Sequence, residues 1–230
     1  MKLPATIGRL FVLWSAPTDG TRHVVGHLDR RTGGGYRFWY ADEVSRALSQ
    51  GFSWFPTFPD HRTAIQPYEA RYLWTTFADR IPSPHRGDAK AILSTWGVIN
   101  SDDPFEVLAR SGGLRATDRI ELAEYRAVDD PLTIPLEFRV AGIRYVPPDQ
   151  RPRLATGDVL LLRREPDNPV DPAASLVLAS NGQRAGYVPR QYSAFVARLL
   201  DDNVPVVVVA VRELTVPDEA GRWVVRASRA

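Results

Sequence analysis

An apolar stretch from Leu10 to Trp14 breaks at Pro17-Thr18-Asp19-Gly20 and resumes from His23 to Leu28, a pattern that predicts a β-hairpin. After Gly33-Gly34-Gly35, the run Tyr36-Arg37-Phe38-Trp39-Tyr40 supplies the aromatic side chains that suit a third, half-buried strand. The spacing then changes. Ala70, Leu73, Trp74 and Phe77 recur at three and four residues, as do Ala89, Ile92, Leu93 and Trp96 before a stop at Gly97, so two amphipathic helices are predicted, with Trp74 and Trp96 in the core. Asp103-Pro104-Phe105-Glu106 reads as an N-cap, a proline at the first helical position and a glutamate bonding back to the cap, with Ser111-Gly112-Gly113 ending that helix. Strands followed by helices argue an α+β fold.

Beyond Asp130-Pro131 the period shortens again. Leu136 to Ile143, Val159 to Leu162, Ser175 to Leu178, Val204 to Val211 and Arg222 to Ala227 are strand candidates separated by proline, glycine and aspartate. One helix starts near Pro189 and shares Phe195, Leu199 and Leu200 on a face. Many short strands with one helix suggest a small barrel, because closure removes exposed edges. The border is placed at the charged, proline-ended segment Arg126 to Pro131, giving domains 1–130 and 131–230.

Composition narrows the class. The 230 residues are 44% hydrophobic, enough for packed cores, and no apolar run approaches the length that crosses a bilayer. There is no cysteine, which excludes disulfides and thiol chemistry, and a cytoplasmic location is expected by default. A net charge of +2 does not by itself imply a nucleic-acid partner, but the only lysines are Lys2 and Lys90, so nearly every cation is a guanidinium fork suited to bidentate phosphate contacts.

Three segments of the second half carry a family resemblance: Val140-Ala141-Gly142-Ile143-Arg144-Tyr145, Leu162-Arg163-Arg164-Glu165-Pro166-Asp167-Asn168-Pro169-Val170-Asp171, and Gly182-Gln183-Arg184-Ala185-Gly186-Tyr187-Val188-Pro189-Arg190. Their order and spacing resemble the HIRAN domain, over roughly residues 131–215. The resemblance implies an OB-like barrel that binds single-stranded DNA at a 3′-hydroxyl end. It implies that Arg144 and Tyr145 hold the terminal nucleotide by phosphate contact and stacking, that Asp171 accepts a hydrogen bond from the terminal sugar, and that Asn168 is its neighbour in the loop. Val146 and Val170 stand where the DNA-end-binding members carry tyrosines. Tyr187 and Tyr192 are candidates to replace that stacking, and Arg190 to reach a phosphate. Asn168 and Asp171, beside prolines, equally suit side-chain-to-backbone turns.

The first half bears a fainter similarity to the N-terminal subdomain of HipA-type toxin kinases, through Val24 to Leu28, Tyr36 to Tyr40, and Asp103 to Leu108 before Ser111-Gly112-Gly113. That resemblance implies a partner-interaction unit. The alternative is a protein-interaction or antitoxin-like regulator of a kinase or DNA-processing enzyme. No phosphate-cradling Gly-x-x-x-x-Gly-Lys-Ser/Thr loop occurs, so no ATPase motor is expected. The expectation is a non-catalytic DNA-binding module with no cofactor and no metal. His23 and His27, four apart and sharing a face of one strand, are a weak metal candidate with Asp29 or His61, and the doublets Asp102-Asp103, Asp129-Asp130 and Asp201-Asp202 read as caps and linkers.

Overall fold

The computed structural model describes residues 7–59, 67–214 and 222–230. The chain divides into two compact units, 1–125 and 126–230, each built on one antiparallel sheet. His61 lies outside the described residues.

In the first unit, β1 (Arg9–Ser15) and β2 (Arg22–Arg30) form the predicted hairpin. β3 (Tyr36–Tyr40), β4 (Tyr68–Ala70) and β5 (Ile120–Glu124) complete a sheet of order β4-β3-β2-β1-β5. One face of this sheet carries Leu10, Val12, Leu28, Phe38 and Tyr40 into a core with Phe52, Phe55, Phe58, Phe77 and Phe105. Rings dominate it. Phe38 stacks on Phe58 at 4.3 Å between centroids, and each buried phenyl contributes about 1.5–3 kcal/mol by leaving water. The Tyr40 hydroxyl is satisfied inside this core, donating to the Phe58 carbonyl (2.7 Å) and accepting from the Phe55 amide (2.9 Å).

Four short helices follow: α1 (Val44–Leu48), α2 (Thr75–Ala78), α3 (Ala89–Thr95) and α4 (Pro104–Ser111). Two helix expectations change. Ala70 belongs to a strand, paired with Tyr36, and Trp74 is extended at ψ 148°, so the helix expected from Ala70 begins only at Thr75. Trp74 packs edge-on to Phe58, whereas Trp96 is half-exposed and outside the core cluster. α4 is capped as expected by Asp103, whose carboxylate accepts from the Phe105 and Glu106 amides, and it ends on Gly112 at φ 75°. Glu106 does not bond back to the cap residue. Its carboxylate accepts from the Ile99 and Asn100 amides instead, fixing the preceding loop.

The two strand histidines do not share a face. The β1–β2 register passes from Val12↔Gly26 to Leu13↔Val24, which leaves Val25 as a bulge. An extra residue inverts the alternation beyond it. His23 therefore lies across from Trp14 on the core side and meets the Gln50 side chain at 3.0 Å, while His27 lies across from Phe11 on the other side. There His27 stacks on Trp39 (5.2 Å) beside Tyr125, and Asp29 is held by Arg9. Burial, with the Arg9 cation adding to it, pushes His27 down to about 4.

The second unit contains β6 (Leu136–Arg139), β7 (Val159–Arg164), β8 (Ser175–Ala179), β9 (Arg184–Tyr187), α5 (Arg190–Asp201), β10 (Val206–Glu213) and β11 (Trp223–Arg229). The sheet order is β6-β11-β10-β7-β8-β9. Its inner face carries Phe138, Leu160, Val177, Val208 and Val225, and α5 adds Tyr192, Phe195, Val196 and Leu199 to the same core, with Tyr192 against Phe138 at 6.1 Å. The sheet curls until its two edges meet. Ala141, just past β6, bridges Tyr187 of β9, each amide donating to the other's carbonyl at 2.9 and 2.8 Å. The expected strand through Ile143 therefore stops early, because Gly142 at φ 76° turns the chain into a 3-10 turn, Ile143–Tyr145. Taken together, the chain has more strands than its spacing suggested, and α1 was not expected from it.

Two outcomes test these units. Gly186 sits at the seam at φ 143°, where a Cβ would lie 2.3 Å from the Ala141 carbonyl oxygen and 2.6 Å from Val140 Cγ1. Gly186→Ala is expected to destabilise the second unit by about 2–4 kcal/mol in urea unfolding, from combined backbone strain and overpacking; an unchanged midpoint would show that the seam yields freely. For His27, the folded value lies below the unfolded value of 6.5, so its contribution is present above pH 6.5 and is lost as pH falls towards 4, to a total of roughly 3 kcal/mol. His27→Phe should flatten the stability profile of the first unit over that window, and parallel profiles would refute the assignment.

Candidate nucleic-acid interface

The seam between β6 and β9 places the candidate residues. Ile143 and Val146 are buried on either side of Arg144 and Tyr145, so the 3-10 turn anchors its ends and turns those two outward. Tyr145 is 65% exposed. The Arg144 guanidinium lies 4.8 Å from the centroid of the Tyr145 ring and donates from Nη2 to the Tyr145 hydroxyl at 2.8 Å. A Cβ on Gly142 would be 3.3 Å from Tyr187 Cδ2 and 3.9 Å from Tyr145 Cδ2. The two tyrosine rings thus flank one glycine.

The loop after β7 meets the seam from the other side. Asn168 builds that loop: its Oδ1 accepts from the amides of Val170 (3.0 Å) and Asp171 (3.1 Å). Asp171 continues the pattern, with Oδ1 accepting from the Ala173 amide at 2.9 Å. These are turn bonds of the kind asparagine and aspartate favour. The Asn168 side-chain amide donates to Glu165 Oε2 at 2.5 Å, and the Tyr187 hydroxyl donates to the same oxygen at 2.8 Å. Glu165 is therefore the junction between loop and seam. The bonds from Asn168 and Tyr187 hold its carboxyl below the usual range, while burial and the bond to Glu165 raise the Tyr187 phenol.

Of the sequence candidates, Arg144 and Tyr145 lie on the turn after Gly142, Tyr187 borders that glycine and shares Glu165 with Asn168, and Asp171 belongs to the Asn168 turn. Arg190 is exposed at the first residue of α5, without a side-chain partner among the described residues. Tyr192 is 1% exposed in the core, so it is no stacking platform. Val146 is buried, and Val170 is exposed. Two participants were missed from the sequence. Glu165 reads there as one charge in a polar loop, and Arg184, whose guanidinium lies 4.6 Å from the Tyr187 ring, gives no signal before β9 is placed. Beside Tyr145 opens a cleft of about 460 Å³, lined among others by Pro147, Asp149, Gln150, Gln183 and Arg184.

Each acidic doublet has at least one carboxylate otherwise engaged. Asp103 caps α4 and pairs with Arg30, Asp130 accepts from the Leu132 amide, Asp201 pairs with Arg164, and Asp202 with Arg198. Among the described residues no three His, Asp or Glu side chains group so as to hold a metal ion, and no helix is long and apolar enough to cross a membrane.

Comparison with known proteins locates a family in the second unit. Residues 135–220 match the family model described as the HIRAN domain. Among solved structures, the HIRAN domain of human HLTF is 21% identical, covering 40% of this chain and 72% of that chain with a TM-score of 0.35. A protein from Lactobacillus plantarum is 24% identical, covering 41% of this chain and 92% of that chain, also with a TM-score of 0.35. No curated protein matches. The HipA-type similarity of the first unit draws no support from these comparisons, and the family match begins only at residue 135. Residues 135–220, which run from β6 past β10 and include the seam with its Arg144–Tyr145 turn and Glu165 loop, are a HIRAN domain.

Proposed function

We propose that the second unit binds single-stranded DNA at a 3′-hydroxyl end, acting as a binding module with no catalytic step of its own, and that the first unit serves a protein partner. The observation that carries this reading is the seam itself: an exposed tyrosine ring, Tyr145, with Arg144 on it, and across Gly142 a second ring, Tyr187, that is tied to the Glu165 carboxylate, all inside a HIRAN match. Each group has a distinct task. Tyr145 offers a ring to the terminal base, which is worth about 1–3 kcal/mol for one stacked base. Arg144 supplies fork donors for the adjoining phosphate.

The acceptor for the terminal hydroxyl comes from the loop. Asp171 Oδ1 is engaged by the Ala173 amide, which leaves Oδ2 to accept, and Glu165 Oε1 likewise has no donor among the described residues. A carboxylate that stays ionised accepts from a sugar hydroxyl and repels a phosphate in the same place. That asymmetry is the basis for preferring a free chain end.

The test is fluorescence anisotropy with oligonucleotides ending in a 3′-hydroxyl or a 3′-phosphate, on the full chain. The hydroxyl end is expected to bind more tightly, Tyr145→Ala to lose about 1–3 kcal/mol, and Asp171→Ala to narrow the difference between the two ends. Equal affinity of the wild type for both ends would end the proposal.

A further inference from the structure

The outward face of β7, β8 and β9 carries a second set of groups beyond the seam. Residues directly opposite in an antiparallel pair share a face. The register Arg163↔Leu176↔Tyr187 and Leu161↔Leu178↔Arg184 therefore puts Arg163, Leu161, Arg184 and Tyr187 together on it. A bulge between Val177 and Leu178 makes this possible, since without it Arg184 would fall on the inner face. Arg163 lies across β8 from Tyr187, about 10 Å away at two strand spacings. Val159 and Leu161, both more than half exposed, continue the face towards β10, where Val159 pairs with Val209.

The charges on this face are uncompensated by close pairs. Neither Arg163 nor Arg184 makes an ion pair among the described residues, in contrast to Arg164, which faces the other way and is held by Asp201 and by the Pro172 and Ala174 carbonyls. The nearest opposing group is Glu165, which both arginines influence through space and which is itself tied to Asn168 and Tyr187. Arg184 also lines the cleft beside Tyr145, so the cationic face is continuous with the candidate site. Two guanidinium forks beside exposed aliphatic side chains match a strand of alternating phosphates and bases.

We propose that the outward face of β7–β9 is a track for the nucleotides behind the captured end, with Arg163 and Arg184 each engaging one backbone phosphate and Leu161 and Val159 lying under the bases. This rests on the end-capture reading above and adds to it a ligand requirement: a single strand longer than the terminal nucleotides the seam holds. The terminal site gives orientation, and the track gives length-dependent and salt-dependent affinity.

The experiment measures anisotropy of the full chain with 3′-hydroxyl oligothymidylates of about 3 and about 10 nucleotides, across a range of salt. Wild type is compared with Arg163→Ala, with Arg163→Ala/Arg184→Ala, and with Arg86→Ala/Lys90→Ala as a charge-matched control on the first unit. Each engaged phosphate of a single strand contributes about 0.7 to the slope of log affinity against log salt. On the longer strand the slope should fall by about 0.7 in Arg163→Ala and by about 1.4 in the double variant, with the control unchanged. On the shorter strand Arg163→Ala should behave as wild type. Arg163 is the decisive position because it is two strands from Tyr187, whereas Arg184 also stacks on that ring. Unchanged slopes on the longer strand, or a fall equal to the control's, overturn the track alone. Equal binding of the same longer strand made with a 3′-phosphate, with the slopes behaving as expected, overturns end capture alone, and absence of binding to either length overturns both.

Discussion

The second unit depends on one pair of backbone hydrogen bonds. Where Ala141 and Tyr187 exchange amide and carbonyl, a six-stranded sheet whose outer strands would otherwise present open edges is joined to itself. The approach is so close that only a glycine fits at position 186 on the inner side, and only a left-handed residue at 142 lets the chain leave the seam. Part of the candidate site is attached within a few residues of this contact. Arg144 and Tyr145 follow Ala141 through Gly142, and Tyr187 is itself a partner in the bridge. A barrel closed elsewhere would leave these side chains on separate edges.

Around the seam the electrostatics are arranged so that one negative charge is fixed among several positive ones. Donors from Asn168 and Tyr187 hold the Glu165 carboxyl below its ordinary range, with Arg184 and Arg163 contributing at longer range. A carboxylate in this position has two effects. It stiffens the junction, since loop and strand share a single acceptor oxygen. It also sets a local rule for ligands, because an anionic group gains from the arginines at the rim and loses at the centre. A strand that brings phosphates to the rim and a neutral hydroxyl to the centre satisfies both conditions.

The sequence displayed much of this and concealed the rest for definite reasons. Strands with strong alternation or aliphatic runs, such as β1, β3, β8 and β10, were legible from residues alone, as was the Asp103 cap with its proline. Four other features were not. β4 and β9 are three and four residues long, too short for a period to show. The bulges at Val25 and between Val177 and Leu178 invert alternation without any marker residue, so His23 and His27 read as neighbours when they lie on opposite faces. The segment Val140 to Ile143 looks like continuous strand because its apolar residues are buried for two different purposes, one in the sheet and one beneath the 3-10 turn. Glu165 and Arg184 stayed unremarked because their importance lies in partners distant in sequence.

The two valines at 146 and 170 bear on how the proposed site would hold a base. Val146 is buried, anchoring the turn, and Val170 is exposed but has no aromatic face, so in the proposed site stacking would fall to Tyr145 and Tyr187. Both rings already carry an arginine, Arg144 on the first and Arg184 on the second, at 4.8 and 4.6 Å. The result is two arginine–tyrosine pairs on either side of Gly142. A guanidinium stacked on a ring is held in a defined orientation, which would lower the entropy lost on binding a phosphate. In the proposed site, a base on the opposite face of the exposed Tyr145 ring would find the Arg144 guanidinium already placed, the ring serving base and cation at once. On the proposed reading, a site with valine at 146 and 170 still offers a nucleotide two rings, each coupled to its own cation.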